Sequence, residues 1–171
     1  MSYTDPATTE DASLRVRALM ALCRLIRDEL TDTVVEGELI EVTPWVASEL
    51  RAEHVYVADI EGAIEGDTLS GGAAAGTDDR ATVTLLVRSA LAGQTGESAI
   101  LRVYAIYRAI RRVVLGNEHG QDLDDLANAN GLGQVWTELG EVDGPLSIEH
   151  PNGYVGWFRI DVILNTNEVE A

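Results

Sequence analysis

Lysine is absent from this chain, and all twelve of its positive charges are arginine. Two readings of that bias stand side by side: Arg codons replacing Lys codons in a GC-rich genome, or guanidinium kept for bidentate contact with carboxylates. Cysteine is reduced to one residue, so no disulfide framework exists; at 171 residues the chain expects one domain with a real core, needing no disulfide or metal. No apolar run approaches a membrane span. The N-terminus is polar and acidic, without the basic and apolar regions of a secretory signal, so folding in a cytoplasm is expected. Positive charge is scarce overall, twelve against 29 acids, for a net charge of −17. Phosphate neutralisation needs a basic face, so this balance argues against nucleic acid as a binding partner. It argues equally against an anionic membrane surface.

What charge there is lies unevenly. Arg15, Arg17, Arg24, Arg27, Arg102, Arg108, Arg111 and Arg112 fall on two expected long helices. From Asp28 to Asp79 there are fourteen acids and only Arg51, and from Glu118 onward eleven acids and only Arg159. Surface acids ordinarily serve solubility. A chain polarised in this way also has the means to present an acidic surface and an arginine-bearing surface to different neighbours.

The most regular stretch runs from Ala81 to Leu115. Val83, Leu85 and Val87 alternate with Thr82, Thr84 and Arg88, the period of a half-buried strand. After a short turn, Ile100, Val103, Tyr104, Tyr107, Ile110 and Val114 recur at helical spacing. Thr95 is placed to cap that helix, Glu97 favours its positive end, and Gly116 is expected to stop it in a left-handed conformation. With the apolar stripe on the sheet, Arg102, Arg108 and Arg112 are expected to point outward.

Around this unit, residues 1–8 read as a disordered lead and a helix is expected from Thr9 to Leu30. Its apolar side carries Val16, Leu19, Cys23, Ile26 and Leu30, with Arg17, Arg24 and Asp28 opposite. Glu36 to Thr43 reads as a short strand or extended arm ended by Pro44, Trp45 to Leu50 as a helical turn, and Val55 to Ile60 as a strand. Residues 61–80 are Gly-rich, acidic and aperiodic, which predicts a mobile loop, with Gly71, Gly72 and Gly76 as its flexible points. Gln121 to Asn128 predicts a short helix and Gln134 to Val142 a strand. After the Pro151-Asn152-Gly153 turn comes a strand over Tyr154 to Leu164, which turns Phe158, Ile160, Val162 and Leu164 one way. Residues 165–171 read as a polar tail. The expected class is α+β: a mainly antiparallel sheet with an N-terminal and a central helix packed on it, one domain over residues 9–164.

No stretch reads as a reaction centre. His54, His119 and His150 share no ligand spacing with each other or with Cys23, and read as surface-loop residues. Asp122, Asp124 and Asp125 lack the glycine and closing glutamate of a calcium loop. The Gly131 to Trp136 run fails the dinucleotide fingerprint, and no nucleophile elbow or phosphate loop occurs. Cys23, on an apolar helix face, reads as a core thiol. Trp45, Trp136 and Trp157 are either core residues or interface anchors. No enzyme activity, metal or cofactor is expected.

In order and character these elements, LRVRALMALCRLIRDEL, HVYVADI, the Gly-rich loop, TVTLLVRSAL, SAILRVYAIYRAIRRVVL and GYVGWFRIDVIL, resemble the tail terminator proteins of long-tailed bacteriophages. The resemblance covers about Ala12 to Leu164 and rests on pattern, not on signature residues. It departs at the 61–80 loop and over Glu118 to Gly133, which leaves another neck protein open, such as a head-closure or head–tail joining factor. It implies a ring of six copies at the head-proximal end of the tail, assembled in the host cytoplasm and placed in the virion neck. The implied partners are further copies of the chain, the tail tube protein and a head-closure or connector protein, with no membrane. Genomic DNA would pass through the lumen without specific binding, repelled by carboxylates. From a different class, an acidic DNA mimic that fills the basic cleft of a nucleic-acid enzyme also fits the charge.

Overall fold

The computed structural model describes residues 14–46, 49, 51–62, 64–66, 76–127 and 133–169. Its elements are α1 (Leu14–Thr33), a 3-10 turn (Gly37–Leu39), β1 (Glu41–Thr43), β2 (Glu53–Glu61), β3 (Ile64–Gly66) and β4 (Gly76–Ser89). These are followed by α2 (Gly96–Gly116), α3 (Gln121–Ala127), β5 (Gly133–His150) and β6 (Gly153–Val169). The strands form one sheet in the order β1-β2-β4-β6-β5, with β3 also paired to β4. Among the described residues only β1 and β2 run parallel; every other pairing is antiparallel. The fold is α+β, as the residue pattern predicts.

The two helices pack on one sheet face because both have an apolar arc facing it. Val83, Leu85 and Val87 of β4 and Phe158, Ile160, Val162 and Leu164 of β6 meet Leu22 and Ile26 of α1 and Val103, Ile106 and Ile110 of α2 in one core. Val16 departs from the expected stripe and is 47% exposed. The buried arc of α1 centres on Leu22 and Ile26, and at about 100° per residue Val16 falls well outside it. On α2, Tyr104 leaves the expected stripe in the same way, while Ile106 and Val113 are inside it. Cys23 is buried, and burial pushes its thiol up to about 12, so it stays protonated at neutral pH.

Thr95 caps α2 as expected, its hydroxyl accepting from the Ser98 amide while Ser98 Oγ accepts from the Thr95 amide. The C-terminal stop is not Gly116, which has no positive φ. Asn117 takes that part. Its amide donates to Val114 O, its Nδ2 to Val113 O at 2.8 Å, and its Oδ1 accepts from the Leu123 amide at 2.8 Å. One buried side chain thereby closes α2 and starts α3, a corner that a glycine could not bond.

Two segments expected to be irregular are strand. Gly76 to Arg80 open β4, and Asn165 to Val169 close β6, paired to each other from Gly76↔Val169 to Arg80↔Asn165. Thus Gly76 lies in a strand, while Gly71 and Gly72 lie outside the described residues, as do residues 1–8. Asn165 and Thr166 are buried, so no polar tail begins at 165. β3 continues the line of β2 along β4 beyond Gly62, whose φ of +139 and close approach to Arg80 O mark the break. A ladder of backbone hydrogen bonds needs no side-chain period, so composition alone reads such segments as loops.

The remaining differences are smaller. β5 extends eight residues past the expected Val142, since bulges between Leu139 and Val142 and between Asp143 and Leu146 break its alternation. The expected arm before Pro44 is a 3-10 turn plus the three-residue β1. Trp45 and Val46 do not begin a helical turn; the Thr43 hydroxyl instead donates to Trp45 O at 2.8 Å.

Candidate interaction surfaces

The arginines divide into those bound within the chain and those facing out. Arg102, expected outward, lies inward: its side chain is 17% exposed and that of its partner Glu53 is 5% exposed. Nε and Nη2 donate to the Glu53 carboxylate at 2.6 and 2.8 Å, and Nη1 donates to Val35 O at 2.8 Å. The Glu53 hydrogen bonds raise the Arg102 pKa above its ordinary value, against burial, which acts the other way. Ser89 Oγ also donates to Glu53, at 3.1 Å. Arg112 lies over α1, where its Nε meets Glu29 at 2.6 Å and its Nη2 meets Thr33 Oγ1 at 2.7 Å. Arg15 binds the Asp79 carboxylate through two nitrogens, tying α1 to β4. Helical spacing placed Arg102 and Arg112 off the apolar stripe, but a guanidinium on a long stem reaches across to the next element.

Arg108 does face outward. It is exposed and, with Arg111, has no ion-pair partner among the described residues. On the same side of α2 stand Leu101, 59% exposed, and Tyr104, 45% exposed. Behind this ridge Tyr107 stacks flat on Phe158 with ring centroids 4.4 Å apart, so the ridge stands on a rigid base.

A second surface lies at the β1 edge. A groove of about 820 Å³ runs between α1, the 3-10 turn, β1 and the end of α3. Met20, Leu39, Trp45 and Leu126 supply its apolar part, and Arg17, Arg24, Arg27, Glu38 and Glu41 its charge. Trp45 is half exposed there, whereas Trp136 and Trp157 are partly covered, with Arg88 over the Trp157 ring at 5.8 Å. No spacing signal foretold the groove, because it is assembled from separate segments, residues 17–27, 38–45 and the distant 126–127.

The histidines need one correction. His119 and His150 are exposed, but His54 is fully buried on β2. Its Nε2 lies 2.9 Å from Thr43 Oγ1. Since that hydroxyl donates to Trp45 O, it accepts from His54 Nε2–H, leaving Nδ1 buried without a partner among the described residues. Burial lowers the His54 pKa. The unfolded chain then takes up this proton first, near pH 6.5. Stability from neutral His54 is therefore complete above about pH 6.5 and lost as pH falls through the lower folded value. Urea unfolding between pH 7.5 and 5 should show a decline that His54→Gln flattens; an equal decline in the variant would assign it to other groups.

Among the described residues no three His, Cys, Asp or Glu side chains cluster as metal ligands, and no helix is long and apolar enough to cross a membrane. The arrangement defines an α+β domain with two outward surfaces of mixed apolar and arginine character. Among solved structures, the chain is similar to one described as the virion of a native gene transfer agent particle. The TM-score is 0.43 at 14% identity, covering 88% of this chain and 96% of that one. No protein-family model matches the sequence, and no curated protein does. A likeness of that size leaves the functional reading to the residues themselves.

Proposed function

We propose that this chain is a structural virion protein, not an enzyme, that forms a ring of six copies at the head-proximal end of a bacteriophage tail. There it ends tail-tube growth and joins tail to head, while genomic DNA passes through the ring unbound. The observation that supports this best is the α2 ridge: Leu101 and Tyr104 exposed beside Arg108 and Arg111, which have no partner among the described residues. Tyrosine and arginine on a rigid base are the residue types that anchor protein interfaces. In a chain of net charge −17, arginines held outward suit a carboxylate-bearing neighbour. They would oppose entry into a basic cleft, which disfavours the DNA-mimic reading. The choice of a tail terminator over another neck protein rests on the element order, from α1 through the β4–α2 unit to β6.

An Arg108→Glu/Arg111→Glu double variant should keep its circular dichroism and melting temperature yet bind tail tube or head connector at least about tenfold more weakly. Tails that join heads normally with a folded double variant would remove the ridge from the account. Electron microscopy of virions locates the protein independently.

A further inference from the structure

The two edges of the sheet differ in chemistry. At the β1 edge is the groove whose apolar lining (Met20, Leu39, Trp45, Leu126) is 37–68% exposed. Arg24 on its rim is exposed with no ion pair among the described residues. Arg27 is committed through Nη2 to Val42 O at 3.0 Å, which leaves its other nitrogens available. Of the two carboxylates lining the groove, Glu41 is already paired with Arg51 at 2.9 Å. A concave apolar surface with a cationic rim is the exception in so acidic a chain.

At the opposite edge, β5 pairs only with β6 among the described residues, which leave its outer side open. Over residues 141–150 it exposes Glu141, Asp143 and Glu149 together with Leu146 and Ile148, the last two 44% and 54% exposed. Two bulges and Pro145 interrupt its backbone row, so strand addition is blocked and contact must come through side chains. Leu146 and Ile148 are two residues apart and share one sheet face, with Asp143 before and Glu149 after them along the strand. Apolar knobs flanked by acids on one edge complement an apolar groove rimmed by arginines on the other. The edges lie four inter-strand spacings apart, about 19 Å, so a copy has no access to its own groove.

We propose that copies of this chain join head to tail, the 141–149 edge of one seated in the α1–β1 groove of the next. This deepens the ring reading above by naming the surfaces that join its subunits, because a heterologous contact repeated by rotation closes a ring. The contact is separate from the α2 ridge, which stays free for a different neighbour.

Cross-linking tests it on the full-length protein. Leu39→Cys and Ile148→Cys are made singly in a Cys23→Ala background, because the native Cys23, though buried, lines the same groove. Under mild oxidation the mixed variants should link one to one, each alone should link little, and a chain carrying both should give a ladder. By sedimentation, Arg24→Glu and Glu149→Arg should each weaken self-association at least about tenfold, and mixing the two single variants should restore one class of contact. A ring by native mass spectrometry without the 39–148 link would overturn these surfaces and leave the ring reading intact. The link and ladder in a protein that virion microscopy finds absent from the neck would support the contact and overturn the virion role. No association and no link at any concentration would overturn the contact.

Discussion

Glu53→Ala is expected to lower the unfolding free energy by about 3–5 kcal/mol, a fall in melting temperature of about 10 °C or more for a chain of this size. The cost comes mainly from what is left behind. Arg102, 17% exposed, keeps its bond to Val35 O but loses both contacts to the carboxylate, and Ser89 Oγ loses an acceptor. An exposed pair would contribute only about 0–1 kcal/mol, so burial sets the size of the effect. Arg102→Met combined with Glu53→Leu should recover much of the loss, since neither charge is then stranded. Chemical denaturation of the single and double variants measures this. Strictly additive losses would show that the two groups act independently.

Gly156→Val is expected to cost roughly 3 kcal/mol by overpacking at the crossing of α2 on the sheet. A Cβ at Gly156 would lie 2.5 Å from Ala99 O and 2.9 Å from Val103 Cγ1. The first obstacle is helix backbone, so α2 itself must move. The Tyr107–Phe158 stack should loosen with it, seen as reduced near-ultraviolet circular dichroism. Gly116→Ala is the contrasting case: its Cβ meets nothing within 4 Å and its φ is ordinary, so a gain of about 0.4–1 kcal/mol is expected. A Gly156→Val protein that melts like the parent would mean that helix and sheet are not in close contact there.

These two sites show what the residues reveal locally. The alternation of Val83, Leu85 and Val87, the Thr95 cap and the helical spacing of Val103, Ile110 and Val114 are set within one or two turns of chain. They were legible because period and capping are short-range. Gly156 read only as part of a strand, since nothing in its neighbourhood states that Ala99 lies above it. Of the candidate arginines, Arg108 was placed correctly outward. Arg102 was not, because its partner Glu53 stands 49 residues away; Arg112 is outward as expected, at 45% exposure, but paired with Glu29, 83 residues away.

By itself the sequence determined the α+β class, the β4–α2 unit, the burial of Cys23 and an acidic surface short of positive charge, all consequences of residue type and local period. The tertiary structure alone decided the rest. It ordered residues 76–80 and 165–169 by pairing them, buried His54 on β2 beside the Thr43 hydroxyl, and split the arginines between internal pins and an outward ridge. Backbone pairing leaves no side-chain signature, and a guanidinium binds whichever carboxylate the fold brings within reach.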